Sequence, residues 1–254
     1  MGARARQRRR LGSVQIVGVL LAGAALVAGF VWWESRTEAP MLPMRFFRNR
    51  TFTLANTASL LMSFGMFGAI FLLAQYFQTV QGYSPLASGV RILPWTVMPM
   101  FIAPIAGALS DRIGGHRLIG TGLALQAAGL AWIAAVTTPT TPYADFIAPF
   151  TLSGIGMALF FAPVANVVFS SVRPEEEGQA SGANNAIREL GGVFGVAVLA
   201  AVFAGYGGYG SGQHFVDGLV PAVFIGAIVV AVGSLAAFAI GKRRSATVAE
   251  AVPA

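Results

Sequence analysis

The 254-residue chain has no cysteine, two histidines and a single lysine, Lys242. Without cysteine there is no disulfide scaffold, no iron–sulfur cluster and no thiolate zinc site. Charge is scarce too. Charged residues make up 11% of the chain, against about 25% in an ordinary soluble domain. None of residues 51–90 carries a charge. There is no Walker-type phosphate loop. Gly205-Tyr-Gly-Gly-Tyr-Gly210 formally matches G-x-G-x-x-G, but it ends an apolar run instead of joining a strand to a helix, so it reads as a flexible loop. No Ser–His, Asp–Asp or His–Glu set suits an enzyme, and no mid-span lysine exists for a Schiff base. His116 and His214 fall in loops on opposite sides of the topology given below and build no common metal site.

What is present is apolar length. Hydrophobic residues make up 56% of the chain, and the formal net charge is +7. A basic excess on a soluble protein would suggest nucleic acid. Here no basic stripe lies on a polar fold, so no nucleic-acid partner is expected and loop topology explains the charge. A helix needs about 20 apolar residues to cross the ~30 Å hydrocarbon core. Seven runs qualify: Leu11–Trp33, Phe52–Phe77, Leu86–Leu109, Leu118–Val136, Phe146–Val172, Ala186–Tyr206 and Leu219–Ile240. Turn formers separate them, and the strict alternation of barrel strands is missing. The expected fold is therefore all-α and integral to the membrane, with about seven transmembrane helices and the lipid bilayer as its first partner.

Cations alternate between the connections. Arg36, Arg45, Arg48 and Arg50 precede the second span, Arg112 and Arg117 follow the third, and Arg173 and Arg188 lie between the fifth and sixth. Lys242, Arg243 and Arg244 follow the seventh, while the connections between these groups carry none. The positive-inside rule places the charged set and the C-terminus in the cytoplasm of a multi-pass plasma-membrane protein. The tail 1–10 breaks the order, because Arg4, Arg6, Arg8, Arg9 and Arg10 would fall outside. That tail resembles the start of a signal peptide, but the apolar run after it is longer than a usual signal core. The expectation is a first span with conflicting signals, or a chain that once continued upstream.

Four blocks then carry a resemblance. They are Pro40–Phe52 (PMLPMRFFRNRTF), Tyr76–Pro94 (YFQTVQGYSPLASGVRILP), Gly107–Arg117 (GALSDRIGGHR) and Gly178–Gly195 (GQASGANNAIRELGGVFG). The third resembles the G-x-x-x-D-R-x-G loop of the major facilitator superfamily. The four in this order are similar to its fourteen-helix drug:proton antiporter branch, over roughly residues 12–243. The resemblance implies one extra linker helix followed by a complete six-helix half built from 3+3 inverted repeats. Residues 11–51 would be the extra helix and cytoplasmic linker, 52–241 the transporter half and 242–254 a cytoplasmic tail. It implies proton-coupled export of drugs or other amphipathic small molecules, with a proton gradient and no cofactor. The partner would be a missing N-terminal half or another copy, and the chain would be a truncated half-transporter. The alternative is a membrane assembly or regulatory protein that keeps the fold without transport.

Within such a fold the first two helices of each repeat line a cavity. Polar residues are biased accordingly. The candidates for cavity or gate are Asn56, Gln75 and Gln78, then Asn166, then Asn184, Asn185 and Arg188, with Arg91 in the third span. For any one of them alone an ordinary interhelical packing bond, worth about 0.6 kcal/mol on average, is the favoured reading, and the bias of the set is what supports a cavity. Arg91 lies about 8 Å inside its span by helical rise; snorkelling to the surface and a gate charge both remain open. The loop Gly107, Asp111, Arg112, Gly114 and Arg117 would form a conformational latch. Gly107 would let two backbones approach closely, Gly114 would allow a sharp reversal, and Asp111 would cap a helix N-terminus. The Arg112 and Arg117 guanidinium groups would pair with acids or lipid phosphates. Arg188 or Glu189 would reach that loop from the start of the sixth span. Glu175-Glu176-Glu177 reads as a solvated loop, and Pro94, Pro99 and Pro104 as kinks in the third span. No acid falls in mid-span on these boundaries, which puts a proton carrier in the missing half.

Overall fold

The computed structural model describes residues 14–37 and 40–240. The basic tail 1–10 and the tail 242–254, with Lys242, Arg243 and Arg244, lie outside the described residues. Among those described there are eight α-helices, two short 3-10 helices and no strand. The α-helices are α1 (Val14–Glu34), α2 (Arg50–Thr79), α3 (Pro85–Thr96), α4 (Met98–Ile113), α5 (Gly115–Val136), α6 (Ala144–Phe169), α7 (Glu177–Tyr206) and α8 (Gly212–Phe238). Taking α3 and α4 as one broken span, six helical spans among the described residues are long and apolar enough to cross a bilayer. The apolar helix α1 precedes them and is largely unpacked, with Val19, Leu26 and Trp33 each about two-thirds or more exposed.

Capping residues set several of the helix starts. Asn49 accepts the Thr51 N–H at 2.9 Å, and Ser84 accepts the Ala87 N–H at 3.2 Å just before Pro85. Ser211 accepts the His214 N–H at 3.1 Å. These caps satisfy N–H groups that a helix cannot satisfy itself. Arginines gather at one end of the bundle, in the turns holding Arg36, Arg45, Arg48, Arg112, Arg117 and Arg173. The turns at the opposite end, around residues 80–84, 137–143 and 207–211, hold none.

The six spans fall into two runs of three. α2, α3–α4 and α5 form one, and α6, α7 and α8 the other. Equivalent helices take equivalent neighbours: α2 packs on α7 and α8, and α6 packs on α3–α4 and α5. The third members, α5 and α8, pack on each other. The two runs start from opposite ends, which is the arrangement of an inverted repeat. The second member of each run is the outlier. α3–α4 and α7 are mostly exposed, whereas α2 and α5 bury more than half of their apolar windows.

Three boundaries differ most from the sequence reading, one of them the seventh span, which starts at Gly212, seven residues before Leu219. The third span breaks at Val97, between α3 and α4. Pro99 has no N–H to return to the Trp95 carbonyl four residues back, which opens the bond ladder here, while Pro94 and Pro104 stay inside their helices. The sixth span starts at Glu177, nine residues before Ala186. A hydropathy reading begins where the side chains turn apolar, while the helix begins where its backbone bonds do. The stretch Gln179–Asn185 is polar and still helical.

Toward the arginine-free end, aromatic side chains fill the space between α2, α3 and α6. Phe146 stacks on Phe150 at 5.6 Å, Phe77 meets Phe146 edge-on at 5.5 Å, and Trp95 lies 6.0 Å from Phe150. The nearby loop is pinned to α2. The Tyr76 hydroxyl donates to the Thr138 carbonyl at 2.6 Å, and Gln81 donates to Tyr76 Oη at 2.8 Å and to the Pro139 carbonyl at 3.1 Å.

Candidate functional site

The structure sorts the candidate residues into groups at different depths. Near the arginine end, Asn184 on α7 donates from Nδ2 to Asn56 Oδ1 at 3.0 Å and to Ser59 Oγ at 2.9 Å on α2. Asn56 is buried and donates to the Phe52 carbonyl at 2.8 Å. These bonds stitch two helices together. Replacing Asn184 by alanine strands the Asn56 carbonyl oxygen, and we expect a loss of about 1 kcal/mol of stability, read as a small drop in the thermal midpoint of the detergent-solubilised protein.

One turn further on, the Arg188 guanidinium donates to Asn185 Oδ1 at 2.7 Å and lies over the Phe161 ring of α6 at 5.3 Å. Arg188 therefore engages its own helix and α6; the Asp111 side chain, its expected partner, lies outside the described residues. Asn166 is exposed on α6. Gln75 and Gln78 lie near the far end of α2, about 28 Å or more along the axis from Asn56. Gln75 Oε1 accepts from the Tyr209 hydroxyl, and exposed Gln78 donates to the Ala74 carbonyl at 3.0 Å. The two glutamines and the asparagines therefore share no single polar cluster.

Arg91 sits in α3 toward the end whose turns hold no arginine, inside an aromatic clamp. Its guanidinium lies 3.5 Å from the Tyr83 ring centre and 5.4 Å from that of Tyr143, and Nη1 donates to the Ala87 carbonyl at 3.0 Å. The Tyr143 hydroxyl donates to the Arg91 carbonyl at 3.1 Å. Burial pushes the Tyr143 phenol above its ordinary value, and the positive Arg91 pulls the other way. The protonated phenol keeps that hydrogen bond, and the contact between the two side chains is cation–π in character.

In the Gly107–Arg117 loop, Gly114 has φ +91° and links α4 directly to α5. An L side chain is strained there, so the reversal expected at Gly114 is realised by glycine's freedom. The close approach expected at Gly107 does not occur: a Cβ built there meets nothing within 4 Å. The tight contact is at Gly115, where a Cβ would lie 2.8 Å from Val167 Cγ2. Gly107 faces outward from α4, away from the helices of this half. Arg112 and Arg117 are exposed, and the Asp111 side chain lies outside the described residues.

The acidic run 175–177 is also corrected. Glu175 and Glu177 are exposed, but the Glu176 side chain is mostly buried and pairs with Arg45 and with Arg173, the latter at 3.3 Å. Glu176 thereby ties the linker before α2 to the turn before α7. Spacing could not show this, since Arg45 and Glu176 are 131 residues apart. A cavity of about 540 Å³ opens close by, bordered by Phe30, Pro40, Met41 and Ala183. Sequence reasoning likewise put Glu189 at the entry of its span, whereas it is the thirteenth residue of α7.

A multi-pass helical membrane protein with an inverted pair of three-span repeats defines a class, the secondary transporters. The family model described as Major Facilitator Superfamily matches residues 10–196, and the chain belongs to that superfamily. It is 33% identical over 194 residues to the multidrug resistance protein Stp of Mycobacterium tuberculosis, covering 76% of this chain and 36% of that protein. It is 32% identical over 193 residues to the tetracenomycin C resistance and export protein of Streptomyces glaucescens, covering 76% and 36%. It is 32% identical over 211 residues to the multidrug transporter protein MdtP of Bacillus subtilis, covering 82% and 38%. The matched region spans little more than a third of these relatives.

Proposed function

We propose that this chain works as the C-terminal half of a proton-coupled exporter of amphipathic small molecules, of the fourteen-helix branch. It would sit in the plasma membrane with its arginine-bearing end in the cytoplasm. One observation carries the reading: the second helix of each repeat, α3–α4 and α7, is left mostly uncovered. In a two-half transporter the substrate path lies between halves, so the faces that a half leaves bare are where its counterpart would dock. The relatives' names, multidrug resistance and export, supply the substrate class, and the proton gradient supplies the driving force.

The Gly107–Arg117 loop fits a latch. Gly114 holds a fixed reversal, and Gly107 presents a bare backbone on an uncovered face. Arg91, clamped midway along α3, fits a gate on the opposite side.

The reading is tested by drug efflux in a sensitive bacterial strain. The chain is expressed alone and together with the seven-span N-terminal portion of a full-length relative. Efflux of a fluorescent drug is expected only with both parts present, and a protonophore should abolish it. Asp111→Glu should slow efflux without reducing membrane insertion, and Arg91→Ala should lower efflux at normal expression. No efflux from any pairing, or efflux indifferent to the protonophore, overturns the proposal.

A further inference from the structure

The cavity of about 540 Å³ beside Glu176 has no part in the transport reading. Its walls come from three stretches of the chain. α1 contributes Phe30, the linker contributes Met41 and Leu42, and the first turns of α7 contribute Gly182, Ala183 and Ala186. Polar bonds fix the spacing of these walls. The Glu34 carboxylate, buried at the end of α1, accepts the Leu42 N–H at 3.0 Å, and Gln179 of α7 donates to the Pro40 carbonyl at 3.1 Å. Inside, a Cβ on Gly182 would meet nothing within 4 Å. The space is built by the way the linker is attached.

Two markers give its depth. The 30-residue helix α7 is about 45 Å long against about 30 Å of hydrocarbon, so a centred helix meets the hydrocarbon about 7 Å from Glu177, close to Gly182. On α1, Trp32 and Trp33 are 55% and 66% exposed, and the Arg36 guanidinium lies 4.5 Å from the Trp32 ring centre. Exposed tryptophans of this kind mark the headgroup level. The cavity thus straddles the boundary, with Phe30, Ala183 and Ala186 on the hydrocarbon side and the linker on the headgroup side. Arginines border the headgroup side. Arg45 and Arg173 share the single carboxylate of Glu176, and their side chains are 56% and 66% exposed. Two guanidinium groups on one carboxylate leave a net positive charge, with N–H donors to spare. Glu175 and Glu177, the exposed acids of this turn, are matched in number by exposed Arg36 and Arg48.

We infer that this cavity takes one acyl chain of a phospholipid of net negative charge, with the lipid phosphate on Arg45 and Arg173. Apolar walls on one side of the boundary and guanidinium donors on the other follow the order in which a lipid presents its chain and its phosphate. Basic pockets between membrane helices bind anionic headgroups. A helix from a second copy or a missing half has the wrong shape. It is about 10 Å across, so little more than one turn would fill 540 Å³. The bound lipid fastens α1, which is otherwise largely unpacked, to the start of α7. The binding stands whether or not the chain transports.

The test uses the whole 254-residue chain in detergent micelles, with native mass spectrometry counting bound lipid. One phosphatidylglycerol per chain should be retained in preference to phosphatidylcholine. Arg45→Gln combined with Arg173→Gln should weaken phosphatidylglycerol binding about thirtyfold, the surface attraction of two arginines, and leave phosphatidylcholine unchanged. Glu176→Gln should act in the opposite direction, because it frees both arginines for the phosphate. If the arginines served only to pair Glu176, that variant would lose lipid as the double variant does. Gly182→Leu should displace the acyl chain without unfolding the protein, since its Cβ stands in open space. Phosphatidylglycerol with a diazirine near the chain end should crosslink at Phe30 or between Ala183 and Ala186, and lose that crosslink in Gly182→Leu. Equal retention of the two lipids, unchanged binding in the double-arginine variant, or weaker binding in Glu176→Gln overturns the inference. So do crosslinks spread evenly around the helices, the result for lipid that merely surrounds the protein. No crosslink at these residues, the result expected if a second copy or a missing half fills the space, overturns it as well. If the double-arginine variant does not fold, the crosslink and its loss in Gly182→Leu decide.

Discussion

Gly195→Leu is expected to be the most damaging single change in the chain, preventing α2 and α7 from packing. Gly191 and Gly195 lie one turn apart on α7, and a Cβ on either would collide with the α2 backbone, at Leu60 and at Phe64 respectively. Gly68 on α2 returns the contact, since a Cβ there would come within 2.8 Å of the Gly195 carbonyl oxygen. Backbone lies on both sides of this seam, so no flexible side chain can give way. Small residues are what let membrane helices approach this closely, because lipid offers no hydrophobic drive to hold two helices together. Even Gly195→Ala should cost about 3 kcal/mol, the upper part of the range for overpacking. The leucine variant should not survive extraction as a monodisperse species. Gly205→Leu in the same helix is the control, because a Cβ there meets nothing within 4 Å. Thermal melting followed by size-exclusion chromatography reads both. A Gly195→Leu protein as stable as wild type would show that α2 and α7 do not meet along this seam.

Trp95→Ala should have the next largest effect, about 3–5 kcal/mol, the range for emptying a buried aromatic site. Trp95 heads the fully buried side chains by volume, and it sits at the end of α3, two residues before the break at Val97. Its ring packs on Phe150 of α6, and its carbonyl lies against Gly154. The broken span has little else buried, so this residue anchors it to α6. Trp95→Phe should recover most of the loss, since the indole N–H has no hydrogen-bond partner to forfeit. Trp132→Ala should be nearly silent, as that ring is 45% exposed. Equal melting temperatures for Trp95→Ala and wild type would mean that α3 is held elsewhere.

Much of this fold was legible because the membrane imposes it. A span must be long, apolar and helical whatever it packs against, so hydropathy alone found the spans and the proline-rich stretch announced a bend. The alternation of arginines marked which turns share an end. The candidate site was less legible. Asn56, Asn184, Asn185 and Arg188 stood out as polar groups in apolar surroundings, yet that signal is the same for a cavity wall and a helix seam. Only the positions of their partners assigned Asn56 and Asn184 to the seam. The polar stretch before Ala186 hid about two and a half turns at the start of α7.

By itself the sequence determined the class of protein, the number of apolar runs, the end at which the cations gather and the glycine reversal at Gly114. Each follows from local chemistry: the length of a greasy run, the charge of a turn, or the backbone freedom of one residue. Tertiary structure decided which glycines bring helices together, Gly191 and Gly195 rather than Gly107. It decided that Glu176 is paired with Arg45 and Arg173, and that Arg91 rests between two tyrosines. Those are relations between residues as much as 131 positions apart. No period or motif encodes such a relation, because it depends on how six spans settle against one another once each has formed.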